Sequence, residues 1–188
     1  RGVQALYETL SLFTYYVGAP VFFIPDEDHS TWYQLVHGRQ DAAPIDFEDE
    51  YGGRFEREKY NQRNMNLARV SLKPVIRRRN GLMDFCVPVF RSGECLGCVI
   101  SGAIQDHLMD RKELESHFQK ITQQYARENP VQFSRYVRGI LSQPYVAHDM
   151  LRVFASSLEL VAAALCSSRR PDEILKDTAR FRYRYFTR

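Results

Sequence analysis

Four cysteines (Cys86, Cys95, Cys98 and Cys166) and five histidines (His29, His37, His107, His117 and His148) are the candidate nucleophiles and metal ligands of this 188-residue chain. Cys95-Leu96-Gly97-Cys98 has the Cys-x-x-Cys spacing used by zinc ribbons and thioredoxin-like redox sites. A structural zinc site needs a second pair of ligands, and no second cysteine pair exists. The motif also falls inside an apolar run that reads as a β-strand, where residues three apart point to opposite faces. The expectation is two semi-buried thiols, with neither zinc nor a disulfide between them. The histidines are scattered without ligand spacing, and His107, between Asp106 and Asp110, reads as a surface residue. Asp46, Glu48, Asp49 and Glu50 crowd one acidic stretch; a solvated loop is the reading, with calcium binding as the alternative. Neither a Gly-x-Ser-x-Gly elbow nor a phosphate-cradling glycine loop is present in the sequence. No nucleophile and base are placed together, so the expectation is a non-enzyme without metal or cofactor.

Two basic stretches remain. Arg77-Arg78-Arg79 reads as a solvated run from which one arginine, Arg77 above all, could reach an anionic ligand or acidic partner. Arg180-Phe181-Arg182-Tyr183-Arg184-Tyr185-Phe186 interleaves basic and aromatic residues, a pattern that suits nucleic acid or an anionic surface. Read plainly, it belongs to a basic connector helix over 169–188, started by Pro171, Asp172 and Glu173 and leading to an output module. The net charge is +3, and residues 169–188 carry that excess over a nearly neutral body. Such a body argues against a general nucleic-acid binder, leaving nucleic acid at most an indirect partner.

The most informative segment is Leu82 to Ile104. Two apolar runs flank Arg91-Ser92-Gly93-Glu94, a hairpin signal. With Ser92 and Gly93 as the two turn residues, Phe90 faces Cys95, Val87 faces Cys98 and Asp84 faces Ser101. Alternation then gives one uniformly apolar face: Phe85, Val87, Val89, Leu96, Cys98 and Ile100. The other face is smaller and mixed: Asp84, Cys86, Pro88, Phe90, Cys95, Gly97, Val99, Ser101 and Ala103. Small residues with one or two polar groups suit the wall of a ligand pocket. The alternative is a strand-end carboxylate in solvent beside small residues under a loop. On the pocket reading, Trp32, Tyr33, Arg77, Asp84, Cys86, Val99 and Ser101 are the candidate ligand-binding residues, and the six other than Arg77 are expected to reach one cavity.

Around this hairpin, Val3, Leu6, Tyr7, Leu10, Phe13, Thr14 and Val17 make one helical stripe that ends at Gly18. Val21–Ile24 and Thr31–Val36 read as short strands. Residues 38–54 read as a loop, and Phe55–Ala68 as a polar helix. Asp110 and Glu113 form a capping box for a helix. Asn129 and Pro130 start the next. A third helix, about Ala147 to Cys166, carries apolar or small residues beyond one stripe, which predicts a homodimer through it or the first helix. The composition is globular, 44% hydrophobic and 26% charged, and no apolar run is long enough to span a membrane. The chain begins at Arg1, which reads as a fragment or processed form. Reduced thiols and the absence of a signal-like segment predict a cytoplasmic setting.

The run Arg78-Arg79-Asn80-Gly81-Leu82-Met83-Asp84-Phe85-Cys86-Val87-Pro88-Val89-Phe90-Arg91-Ser92-Gly93-Glu94-Cys95-Leu96-Gly97-Cys98 resembles the central hairpin of PocR-type sensory domains, a GAF/PAS-related family of bacterial regulators. The likeness lies in glycine-leucine, an acidic residue, an aromatic and valine-proline, followed by glycine-glutamate-x-leucine-glycine. It covers about 25 residues. That family often has a Cys-His pair before the glycine-leucine, where this chain has Arg79 and Asn80. The resemblance implies ligand sensing and signal relay in transcription regulators. The resulting expectation is an α+β fold: a GAF/PAS-like antiparallel sheet flanked by N- and C-terminal helices, with residues 1–168 forming the sensory domain. Rival readings are a dimerisation module without a ligand, or anion or nucleic-acid binding through the basic tail.

Overall fold

A computed structural model describes residues 18–29, 31–36, 43–167 and 179–182. The expected first helix and all of the basic tail except residues 179–182 lie outside them. Strand β1 is Val21–Pro25 and β2 is Thr31–Val36. Helices α1 (Ala43–Glu50) and α2 (Arg54–Ser71) follow. Next come β3 (Val75–Arg79), β4 (Leu82–Arg91) and β5 (Glu94–Ile104). Helices α3 (Arg111–Thr122), α4 (Pro130–Leu141) and α5 (Leu151–Ser167) come last before β6 (Ala179–Arg182). The strands form one six-stranded sheet in the order β3-β4-β5-β1-β2-β6, every pair antiparallel. The fold is α+β, as the sequence predicts.

Both hairpins of the centre turn on two residues with positive φ. Asn80 (φ 47°) and Gly81 (φ 83°) join β3 to β4; Ser92 (φ 53°) and Gly93 (φ 86°) join β4 to β5. Turns of this hand match the twist of the strands they join. The arginine run therefore forms the edge strand β3, which the Asn80-Gly81 turn, itself a hairpin signal, joins to β4.

The register of β5 differs from the expected one, and a bulge is the reason. Phe90 faces Cys95 as predicted, but Val89 faces Gly97, so Leu96 is an extra residue. Beyond it Val87 faces Val99, not Cys98, and Phe85 faces Ser101. A one-residue insertion moves every later side chain to the other face of the sheet. Val99 thus joins Phe85, Val87 and Val89 in a core with Phe154, Leu158 and Val161 of α5. Cys98 and Ile100 join Cys86, Met65 and Ala68 on the opposite side, under α2. The same insertion puts Cys95 and Cys98 on one face, which corrects the argument that strand geometry separates them. All four cysteines are free thiols.

Two further expectations are corrected. Residues 43–50 form α1 rather than loop, because Phe47 anchors them: its ring lies 5.3 Å from Tyr136 and 6.1 Å from Phe118. Residues 179–182, expected to be helical, form β6 against β2. Arg180-Phe181-Arg182 alternates with period two, which a strand accommodates and which gives the edge of β2 its hydrogen-bonding partner. The helix expected from Ala147 begins with a short 3-10 turn, His148–Met150, before α5.

Candidate ligand site

Helix α2 lies across the face of the sheet opposite α5. Its residues Arg54, Arg57, Glu58, Asn61, Gln62 and Met65 recur at helical spacing and line a cavity of about 140 Å³. The sheet contributes Phe22, Ile24, Trp32, Asp84, Ile100 and Gly102, and Pro20, His29 and Ile45 complete the described lining. The walls at the sheet are apolar and aromatic, with Phe22 and Trp32 edge to face at 5.5 Å. Trp32 Nε1 donates to the carbonyl of His29 at 3.2 Å, which fixes the indole.

One end of the cavity is an ion cluster. Arg57 donates through Nε and Nη2 to Glu48 Oε2 at 3.1 and 2.8 Å, and through Nη1 to Asp84 Oδ2 at 3.1 Å. Glu48 Oε1 accepts from Arg79 and from Asn80 Nδ2. Asp84 Oδ1 accepts the backbone N–H of Ala103 at 3.0 Å, at a second bulge where Ala103 takes φ 58°. Burial works against the Arg57 charge, but Asp84 and Glu48 outweigh it and hold the guanidinium above its ordinary pKa. The Tyr60 phenol beside this cluster is pushed up by burial and by the Asp84 carboxylate, so it stays a neutral hydroxyl. Gly102 is required here: a Cβ on it would sit 2.1 Å from Asp84 Oδ1.

Of the candidate residues, Trp32 and Asp84 line the cavity. Cys86 shares their face but is buried deeper, among Met65, Val75, Cys98 and Ile100. Its thiol is pushed well up by the neighbouring Cys98 sulfur and by burial, so it stays protonated and unreactive. Tyr33 and Val99 pack on the α5 side of the sheet. Ser101 Oγ donates to the carbonyl of Pro20 at 2.8 Å and does not face the cavity. Arg77 is exposed on β3, outside the lining. Val99 and Ser101 were assigned by the unbulged register, so the bulge at Leu96 accounts for both displacements. The sequence reading missed Arg57 and Glu48. A stripe at 54, 57/58, 61 and 65 on a polar helix was the available signal, but charged residues on such a helix usually face water.

A second cluster lies at the far end of β5. Asp106 Oδ2 accepts from Arg78 Nη2 at 2.5 Å and pairs with His148 Nδ1 at 2.9 Å, while Oδ1 pairs with His107 Nδ1 at 2.9 Å. His107 Nε2 lies 3.3 Å from Glu113. These contacts tie β3, the start of α3 and the turn before α5 together. Among the described residues, no group of three or more His, Cys, Asp or Glu is arranged to hold a metal ion.

Compared with known proteins, the sequence matches no family model, and neither a curated protein nor a solved structure matches it. The functional reading therefore stands on the geometry of the cavity and on the hairpin.

Proposed function

We propose that this chain is a ligand-sensing regulatory domain, non-catalytic, that takes a small molecule between α2 and the sheet and relays its presence through terminal helices to an output module. The observation that carries the reading is the cavity itself: apolar and aromatic walls closed at one end by a few convergent polar groups. A relay has a short physical route. Asp84 borders the cavity, and its neighbour Phe85 points through the sheet to Phe154 of α5, ring centroids 4.7 Å apart. A ligand that prefers one setting of β4 then biases the position of α5 by population shift. Among the described residues, no helix is long and apolar enough to cross a membrane; a cytoplasmic setting is part of the proposal.

Homodimerisation belongs to the same proposal. Helix α5 and the turn before it expose Met150, Val153 and Leu160, on the side away from the buried Leu151, Phe154, Leu158 and Val161. A helix that carries a second apolar stripe fits a paired helix from another copy.

The test is a thermal-shift screen of a metabolite library on the purified chain, repeated on Ile45→Phe, which places a ring in the cavity. Hits that raise Tm in the parent and not in the variant support the reading. Hits equally effective on both, or no hit at all, count against it.

A further inference from the structure

The size, charge balance and wall chemistry of the cavity narrow what it can hold. A volume of about 140 Å³ is close to the roughly 150 Å³ of an apolar cavity that accommodates one benzene. One ring with a short substituent fits a volume of this size.

The charges at the site are already matched. Arg57 is held by Glu48 and Asp84, and Arg79 by Glu48. Arg54 and Glu58 lie 3.9 Å apart. At the buried end of the cavity an anionic ligand would have to displace a carboxylate from Arg57. A cationic one would have to compete with Arg57 and the Ala103 N–H for Asp84. Either leaves a buried charge without its partner, which is costly.

Phe22 and Trp32 present aromatic surface, and Ile24, Ile100 and Met65 supply the rest of the apolar wall. A ligand ring gains edge-to-face contact there beyond simple burial. Asn61 is half-buried in the lining, and its amide makes no hydrogen bond to any described residue. It offers a donor and an acceptor to one polar substituent.

We propose that the cavity takes an uncharged single-ring aromatic compound with one hydrogen-bonding substituent, of the benzyl alcohol or phenol class. This rests on the cavity being a ligand site. Trp32 is the chain's only tryptophan, so its emission reports on the cavity wall. The chain is titrated with benzyl alcohol, toluene, benzoate, benzylamine and cyclohexylmethanol, following Trp32 emission and Tm together. Benzyl alcohol is expected to change both saturably. Benzoate and benzylamine should bind about tenfold more weakly or worse, from the cost of burying an unmatched charge. Cyclohexylmethanol should bind several-fold more weakly, roughly the worth of an aromatic pair. Asn61→Leu should weaken benzyl alcohol by about fivefold, on the order of one hydrogen bond, and leave toluene unchanged. Equal binding of benzoate or benzylamine overturns the uncharged class, and equal binding of cyclohexylmethanol overturns the aromatic one; in both cases the cavity remains a ligand site. If none of the five perturbs Trp32, the class is wrong. A library hit blocked by Ile45→Phe would then leave the sensing reading standing, and its absence would remove both.

Discussion

Gly97 lies where β5 passes close to β1. Its φ is 145°, and a Cβ there would sit 2.1 Å from the carbonyl oxygen of Ile24. Since that oxygen is backbone, Gly97→Ala must move a strand, and a loss of roughly 2 kcal/mol or more is expected in urea unfolding. An unchanged midpoint would mean that β1 yields without cost. Asp84 carries a different burden. Asp84→Ala removes the acceptor of both Arg57 Nη1 and the Ala103 N–H. Breaking a buried pair from one side costs about 3–5 kcal/mol, so the variant should melt well below the parent; wild-type stability would show that Glu48 alone satisfies Arg57. Asp106 gives a pH signature. Although burial opposes its charge, hydrogen bonds from Arg78, His148 and His107 hold its carboxyl well below the usual carboxylate range. A depressed folded-state pKa contributes stability above the unfolded value, near 3.9, and loses it as pH falls toward the folded one. His107 is raised, chiefly by its bond to Asp106, so its contribution is complete below about 6.5 and is lost as pH rises through the higher folded value. In urea titrations, Asp106→Asn should be less stable than the parent at neutral pH and approach it in acid. A gap independent of pH would contradict the linkage.

At the scale of elements, α3 is the case in which local sequence decided local structure. Asp110 Oδ1 accepts the Glu113 N–H and Glu113 Oε2 accepts the Asp110 N–H, both at 2.9 Å. Asp110→Ala should cost about 1 kcal/mol without disturbing the sheet, measured by chemical unfolding with circular dichroism. Strand β5 is the opposite case. Its composition marks it as a strand, but two inserted residues, Leu96 and Ala103, set which side chains reach the cavity. A bulge exists because of what the partner strands require, and Gly97 against Ile24 is such a requirement. Helix α1 shows the same limit: its acidic residues read as loop until Phe47 finds Phe118 and Tyr136 in α3 and α4.

At the scale of the whole molecule, the sheet separates two tasks. Its α5 side is a packed core with Phe85 and Val99 fully buried. Its α2 side is partly hollow, and the hollow is where a ligand would act. If the exposed stripe pairs two copies, the double variant Val153→Glu, Leu160→Glu should sediment as a monomer across micromolar concentrations. Its circular dichroism should stay native, because both residues are more than half exposed. Leu158 is unsuitable for this purpose, being completely buried against the sheet. A parent chain that sediments as a monomer of 22.0 kDa at every concentration would end the dimer proposal.

The sequence by itself determined the class of the fold, the Ser92-Gly93 hairpin and the starts of α3 and α4. These follow from short-range rules: turn residues with positive φ, capping side chains, and runs of apolar residues with a clear period. Tertiary structure alone decided which face of β5 meets α2, that Glu48 and Asp84 together hold Arg57, and that Ala179–Arg182 adds an edge strand. The reason is physical. Face assignment in a strand alternates at every residue, so one bulge inverts it. A buried arginine is stable only beside carboxylates brought from elsewhere in the chain, and an edge strand forms only where another edge offers unpaired backbone groups.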